Sequence, residues 1–182
     1  MKACLWLCCL LFFTLHAAAQ NIFSAKNVAS SFFSKAPLED IDAHSKSGVS
    51  AINVQARTVF VQVPINSFEF KKSLMQEHFN ENYMESDKYP NAIFKGRIVD
   101  EINLATNGTY TATVTGNLLL HGVDKTYSEK VTFTVNNGKI NAVANFKVKL
   151  ADHKIKIPTI VFKNIAEVVD VSIEANYLPY SK

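Results

Sequence analysis

Apolar and polar residues alternate through most of this chain, most strictly from residue 140 to 150. There Ile140, Ala142, Ala144, Phe146, Val148 and Leu150 oppose Asn141, Val143, Asn145, Lys147 and Lys149. A period of two is that of a half-buried β-strand. Tyr110, Ala112, Val114, Gly116, Leu118 and Leu120 repeat it against a mainly hydroxylic face, and Val131, Phe133 and Val135 do so against Thr132 and Thr134. Val169, Val171, Ile173, Ala175 and Tyr177 mark the last strand, over 168–177. Residues 27–33, 38–44 (a short edge strand), 49–54, 58–65 and 92–102 bring the count to about eight. The polar stretch 45–48 reads as a turn, as do Asn107-Gly108, residues 121–125 and Asn136-Asn137-Gly138; Asn-Gly is the pair that two-residue hairpin turns prefer.

The rhythm breaks once, between Phe68 and Gly96. Leu74, Met75, His78, Phe79 and Asn82 fall on one side of a helix, with Lys71, Lys72, Gln76, Glu77, Asn80 and Glu81 on the other. The spacing predicts one amphipathic helix over 71–82, stopped before Pro90. Its Met and Phe side is large and adaptable, which suits a lid or plug. The plain alternative is a helix that closes one end of a barrel with no ligand involved.

The expected fold is all-β: eight antiparallel strands closing into a barrel, because closure removes the edges that long strands would otherwise expose. Ala112, Gly116, Ala142 and Ala144 at inward positions would leave space for Phe94, Phe133, Phe146 and Phe162 to line. The same alternation of small and large residues could equally fill a tapering core.

Composition adds a compartment. Lys2, an apolar run over 3–15 and Ala17-Ala18-Ala19 have the layout of a secretory signal peptide, so residues 1–19 are set apart and residues 20–182 are read as one domain. The run is short for a membrane span, and no second apolar segment of spanning length follows it. Cys4, Cys8 and Cys9 and the single tryptophan all lie in that leader. The expected product is secreted, in the periplasm, with no disulfide. It keeps 16 acidic groups and all but one of the 19 basic ones, scattered along the chain, which gives no electrostatic footprint for nucleic acid.

Candidate chemistry is sparse. His44, His78, His121 and His153 are far apart in sequence, with no H-x-H or H-E-x-x-H spacing, so no metal site is expected. His121 reads as a strand-end residue whose ring bonds nearby backbone at the Gly122 turn. With no G-x-S-x-G elbow, no cysteine nucleophile and no Gly-rich phosphate loop, the chain does not read as an enzyme.

Three blocks resemble the YceI-like polyisoprenoid-binding proteins. They are Phe79-Asn80 through Tyr83 to Tyr89-Pro90 with Phe94 and Gly96; Gly116 to Lys125, GNLLLHGVDK; and Phe146-x-Val148-x-Leu150-x-Asp152 followed by Ile155-Lys156-Ile157-Pro158. Leu119 and Asp124 stand where that family has threonines. The resemblance implies an extended lipocalin-like barrel that carries a long isoprenoid or similar amphiphile, such as a fatty-acid-like lipid, and no other cofactor. Leu74, Met75 and Phe79 would then touch the ligand's chain. Phe94, Leu118, Leu120, Phe133, Phe146 and Phe162 would line the interior, and Tyr83, Tyr89 and His121 would meet a polar head group. Two readings stand: a lipid carrier, or an envelope stress or assembly protein with a filled barrel that acts through protein contacts. A homodimer is left open.

Overall fold

The computed structural model describes residues 21–35, 40–156 and 166–180. Nine strands fall among them: β1 (Ile22–Ser34), β2 (Ile41–Asn53), β3 (Thr58–Pro64), β4 (Glu69–Phe70), β5 (Asn91–Ile98), β6 (Gly108–Leu120), β7 (Val123–Asn136), β8 (Lys139–Lys149) and β9 (Val168–Pro179). Every pairing is antiparallel, and each long strand pairs with the next in sequence. β1 pairs with both β2 and β9, so eight strands close into a barrel. The two-residue β4 is an addition to β2 through Ala43↔Phe70 and His44↔Glu69.

Alternation explains why these segments are strands and which way they face. On β6, Ala112 and Val114 are buried inward while Thr111 is exposed. On β8, Ile140, Ala142 and Val148 are buried between exposed Lys139, Asn145, Lys147 and Lys149. At the β7–β8 hairpin Asn137 and Gly138 have φ of 50° and 71°, the left-handed pair of a type I′ turn. Asn137 also donates its backbone N–H to the Asn107 side chain at 3.0 Å.

Four expectations are corrected. Residues 45–48 form no turn; they run through the middle of β2. The buried Ser45 hydroxyl is satisfied against Ser67 Oγ at 2.7 Å, and the strand absorbs its broken alternation in register shifts against β1 at Asn27 (φ 57°) and around Ser45 to Gly48. The Asn107-Gly108 hairpin is a longer loop, because β5 stops at Ile98. There the Asp100 carboxylate accepts the Thr113 N–H at 2.6 Å, and Leu104 is buried in the barrel end. The turn at 121–125 shortens to His121-Gly122, and the next three residues join β7. The helix is real but composite: α1 (Ser73–His78) widens into a π-helical turn, Phe79–Tyr83.

The interior is uneven. At the end away from the helix, Val28, Ile52, Ile98, Leu104, Val135 and Ile140 are buried against one another and fill the barrel. At the helix end the packing is looser and is shared between Ala43, Val63 and Phe68 on one side and Ile65, Met84 and Ile155 on the other.

Candidate functional site: an apolar cavity under the helix

Between the packed end and the helix lies a cavity of about 540 Å³. That is within the range of pockets that enclose a small ligand. Its walls come from the inward positions of the strands, Val61 and Val63 on β3, Leu118 and Leu120 on β6, Val131 and Phe133 on β7, Ala142, Ala144 and Phe146 on β8, and Val171 and Ile173 on β9.

Phe79 is the centre of the helix's contact with the mouth. The Phe79 ring stacks on Phe32 at 5.4 Å between centroids and lies 5.0 Å from Phe70 and 5.8 Å from Phe68. Four rings from β1, the segment before α1 and the helix therefore meet across the mouth, each pair in a geometry that aromatic quadrupoles favour. The loop before α1 is tied in place by Ser67 Oγ donating to the Pro64 carbonyl at 2.6 Å and by the Gln76 side chain accepting the Phe70 N–H at 3.3 Å.

Eight of the residues singled out in the sequence line this cavity: Met75, Phe79 and Tyr83 from the helix, Phe94, Leu118 and Leu120 from β5 and β6, and Phe133 and Phe146 from β7 and β8. Leu74 does not. It is 60% exposed, because a helix turns about 100° per residue and Met75 already occupies the inward direction. Tyr89 and His121 also lie outside the cavity, packed edge to face at 4.6 Å. Phe162 is outside the described residues. Phe32, Phe68 and Phe70 were missed, since they come from separate segments and only the closed barrel brings them round Phe79.

The two histidines far apart in sequence meet at the barrel rim. His121 Nδ1 donates to the His153 carbonyl at 3.1 Å, and its Nε2 faces the Glu85 carboxylate at 2.9 Å. His153 is fully buried in a 3-10 turn, Leu150–His153; its Nδ1 donates to the Val123 carbonyl at 3.2 Å, and its Nε2 accepts from the Tyr127 hydroxyl at 2.9 Å. That pattern belongs to a neutral ring, and burial holds its pKa below the ordinary 6.5. No group of three or more metal-ligating side chains occurs among the described residues.

The depressed pKa sets a pH dependence. The unfolded chain takes up the His153 proton below about pH 6.5 while the folded one resists it, so stability falls on acidification through that window, by at most about 1.4 kcal/mol per pH unit. Urea melts at pH 7.5 and 5.5 should show this loss, and His153→Gln should remove the difference.

Deeper in, the Tyr177 hydroxyl donates to Ser50 Oγ at 2.7 Å, which donates to the Phe60 carbonyl at 2.6 Å. Burial pushes the Tyr177 phenol up to about 12. The one phenol at the cavity floor is thus hydrogen-bonded.

A closed antiparallel barrel with an apolar interior and a helix across one end defines the lipocalin-like class. Residues 13–177 match the YceI-like domain, and the chain belongs to that family. The fold is similar to that of a polyisoprenoid-binding domain from Saccharophagus degradans implicated in plant cell wall breakdown (TM-score 0.75, 16% identity, 88% of this chain and 99% of that one). It is also similar to BcnA of Burkholderia cenocepacia (TM-score 0.70, 15% identity, 82% and 95%) and to the Campylobacter jejuni YceI protein (TM-score 0.63, 18% identity, 81% and 90%). No curated protein matches the sequence significantly.

Proposed function

We propose that this chain is an exported carrier that holds a long apolar amphiphile, a polyisoprenoid or a lipid of similar shape, inside its barrel. The observation that carries the reading is the cavity, which the described side chains leave unfilled although it is walled almost entirely by hydrocarbon. Removing apolar ligand surface from water contributes about 25 cal/mol per Å², set against the ordering of a flexible chain. The fold shared with a domain that binds polyisoprenoid supports the ligand class. The unfilled interior favours a carrier over a filled barrel that works through surface contacts.

Among the described residues, the Tyr127 and Tyr177 hydroxyls of the wall are each held by a neighbour just outside it, His153 and Ser50. Export rests on the apolar run and alanines of residues 1–19. Among the described residues no helix is long and apolar enough to cross a membrane.

Native mass spectrometry of the protein purified from the cells that make it tests both parts. The expected spectrum shows a chain beginning at Gln20 with a solvent-extractable hydrophobic adduct. A bare chain in every preparation, unable to take up an added isoprenoid alcohol, would remove the carrier reading. A mass that still includes residues 1–19 would remove the export reading.

A further inference from the structure

The inward face of β7 carries one residue that the hydrocarbon wall does not explain. Tyr127, Glu129, Val131 and Phe133 alternate into the cavity, while Ser128 and Lys130 bond outward to Thr115 and Thr113. The Tyr127 hydroxyl is bound to His153. Glu129 is half-buried and has no hydrogen bond or ion pair among the described residues. Some other carboxylates have partners, Asp100 in the Thr113 N–H and Lys130, Glu85 in His121 and Lys88, and Asp170 in Lys147, while Glu77, Glu81, Asp87, Glu101 and Asp124 are exposed to water. No lysine or arginine lines the cavity among the described residues. Its other ionisable groups are Tyr83, Tyr127, Tyr177 and the exposed His78 at the helix.

Position gives this carboxylate a use. The β7–β8 ladder runs from Asn136↔Lys139 to Val131↔Ala144 and ends there, so Glu129 is the first inward residue past the last rung, where the strands part. Beyond it the gap is spanned by side chains, with the Tyr127 ring 5.9 Å from both Phe146 and His153. A second polar atom of the wall is also unsatisfied. Ser30 Oγ is buried, lines the cavity and has no hydrogen-bond partner. Ser30 shares a rung with Ile173, Ala144 and Val131, which places it three strands round the wall and one rung from Glu129.

A carboxylate in apolar surroundings accepts hydrogen bonds and repels negative charge, and both effects are strengthened where water is scarce. We propose that Glu129 holds the polar end of the ligand, that this end is a hydrogen-bond donor, a hydroxyl or an ammonium group, and that the barrel rejects amphiphiles ending in a carboxylate or phosphate. The inference rests on the carrier reading and narrows its ligand class. Discrimination of this kind needs a repulsive element as well as an attractive one, and a single fixed charge provides both.

The test uses three probes with one chain and different heads: farnesol, farnesylamine and farnesoic acid, offered together in equal amounts to delipidated protein at pH 7.5 and read as adducts by native mass spectrometry. The wild type should hold the amine and the alcohol over the acid by about tenfold or more. Glu129→Gln should bind the acid as well as the alcohol and lose the preference for the amine, with an unchanged circular dichroism melt. Acid bound by the wild type as well as amine would overturn the inference and leave the carrier reading standing. An unchanged ranking in a folded Glu129→Gln variant would also overturn it. No adduct with any of the three would overturn the carrier reading and this inference with it. The wild-type ranking decides the matter even where the variant fails to fold.

Discussion

Replacing Ala144 by tryptophan should abolish ligand uptake and leave the melting temperature close to that of the unsubstituted protein. Ala144 faces the cavity from β8, between Val131 on β7 and Ile173 on β9, at the last rung before β7 and β8 part. An indole added there goes into space that the described side chains leave empty, so it displaces ligand before it displaces protein. In a packed core the same added volume costs roughly 1 to 3 kcal/mol. Ala142, one inward position along, makes the contrast. It borders the cavity at its packed end, is 6% exposed and stands in register with Phe133 and Ala175, so a tryptophan there meets side chains already in contact and should not fit without strain. Adduct retention and thermal melts of the two variants separate the cases. A heavy loss of melting temperature in Ala144→Trp, with no lipid recovered from the wild type, would mean that the interior is filled and the carrier idea is wrong.

Gly116→Ala should be more damaging than any exposed substitution on the same strand. Gly116 of β6 lies opposite Gly96 of β5, and a Cβ placed on it would sit 2.4 Å from the Gly96 Cα and 2.4 Å from the Lys95 carbonyl oxygen. Both obstacles are backbone, so no rotamer change relieves the clash. The β5–β6 ladder must open to admit one methyl group. Overpacking of this kind costs up to about 3 kcal/mol and sometimes more, which for a chain of this size is a drop of about 6 to 12 °C in Tm. Asn117→Ala, on the exposed face next to it, is the control and should change little. If Gly116→Ala melts within a degree or two of the control, the two strands are not held as close as their glycines allow.

What the sequence revealed follows from how local each signal was. β6 and β8 were legible face by face because each alternates strictly and one face of each is buried. The helix is legible because its period differs from everything around it, yet the period places Leu74 on the inward side and the structure turns it out to solvent. Leu74 and Met75 are adjacent and both apolar, and over so short a helix the period alone cannot choose between them. β2 reads as two segments in the sequence, since Ser45, Ser47 and Gly48 look like a turn until Ser67 and the bulged partner strand are in place to receive them. The cavity is the least local feature. Phe32, Phe68 and Phe70 are ordinary strand and loop residues until Phe79 arrives between them, and His121 finds His153 only after β7 and β8 have folded back. Glu129 stands in a β7 stretch whose alternation is clear only from residue 131 onward, which hides its inward direction.

The double pairing of β1 has a consequence for how the molecule comes into being. β1 joins β2 along one edge and β9 along the other, with Phe23 opposite Pro179. No partly synthesised chain can complete that seam before β9 is made, because β9 follows every other strand of the barrel in the chain. A meander of hairpins can assemble early from neighbours in sequence, but the ring itself closes through contacts of very high sequence separation, and such contacts form slowly. Until they do, β1 and β9 are open edges able to pair with other chains. The interval between synthesis and closure is therefore when this protein is most exposed to aggregation and to binding by chaperones.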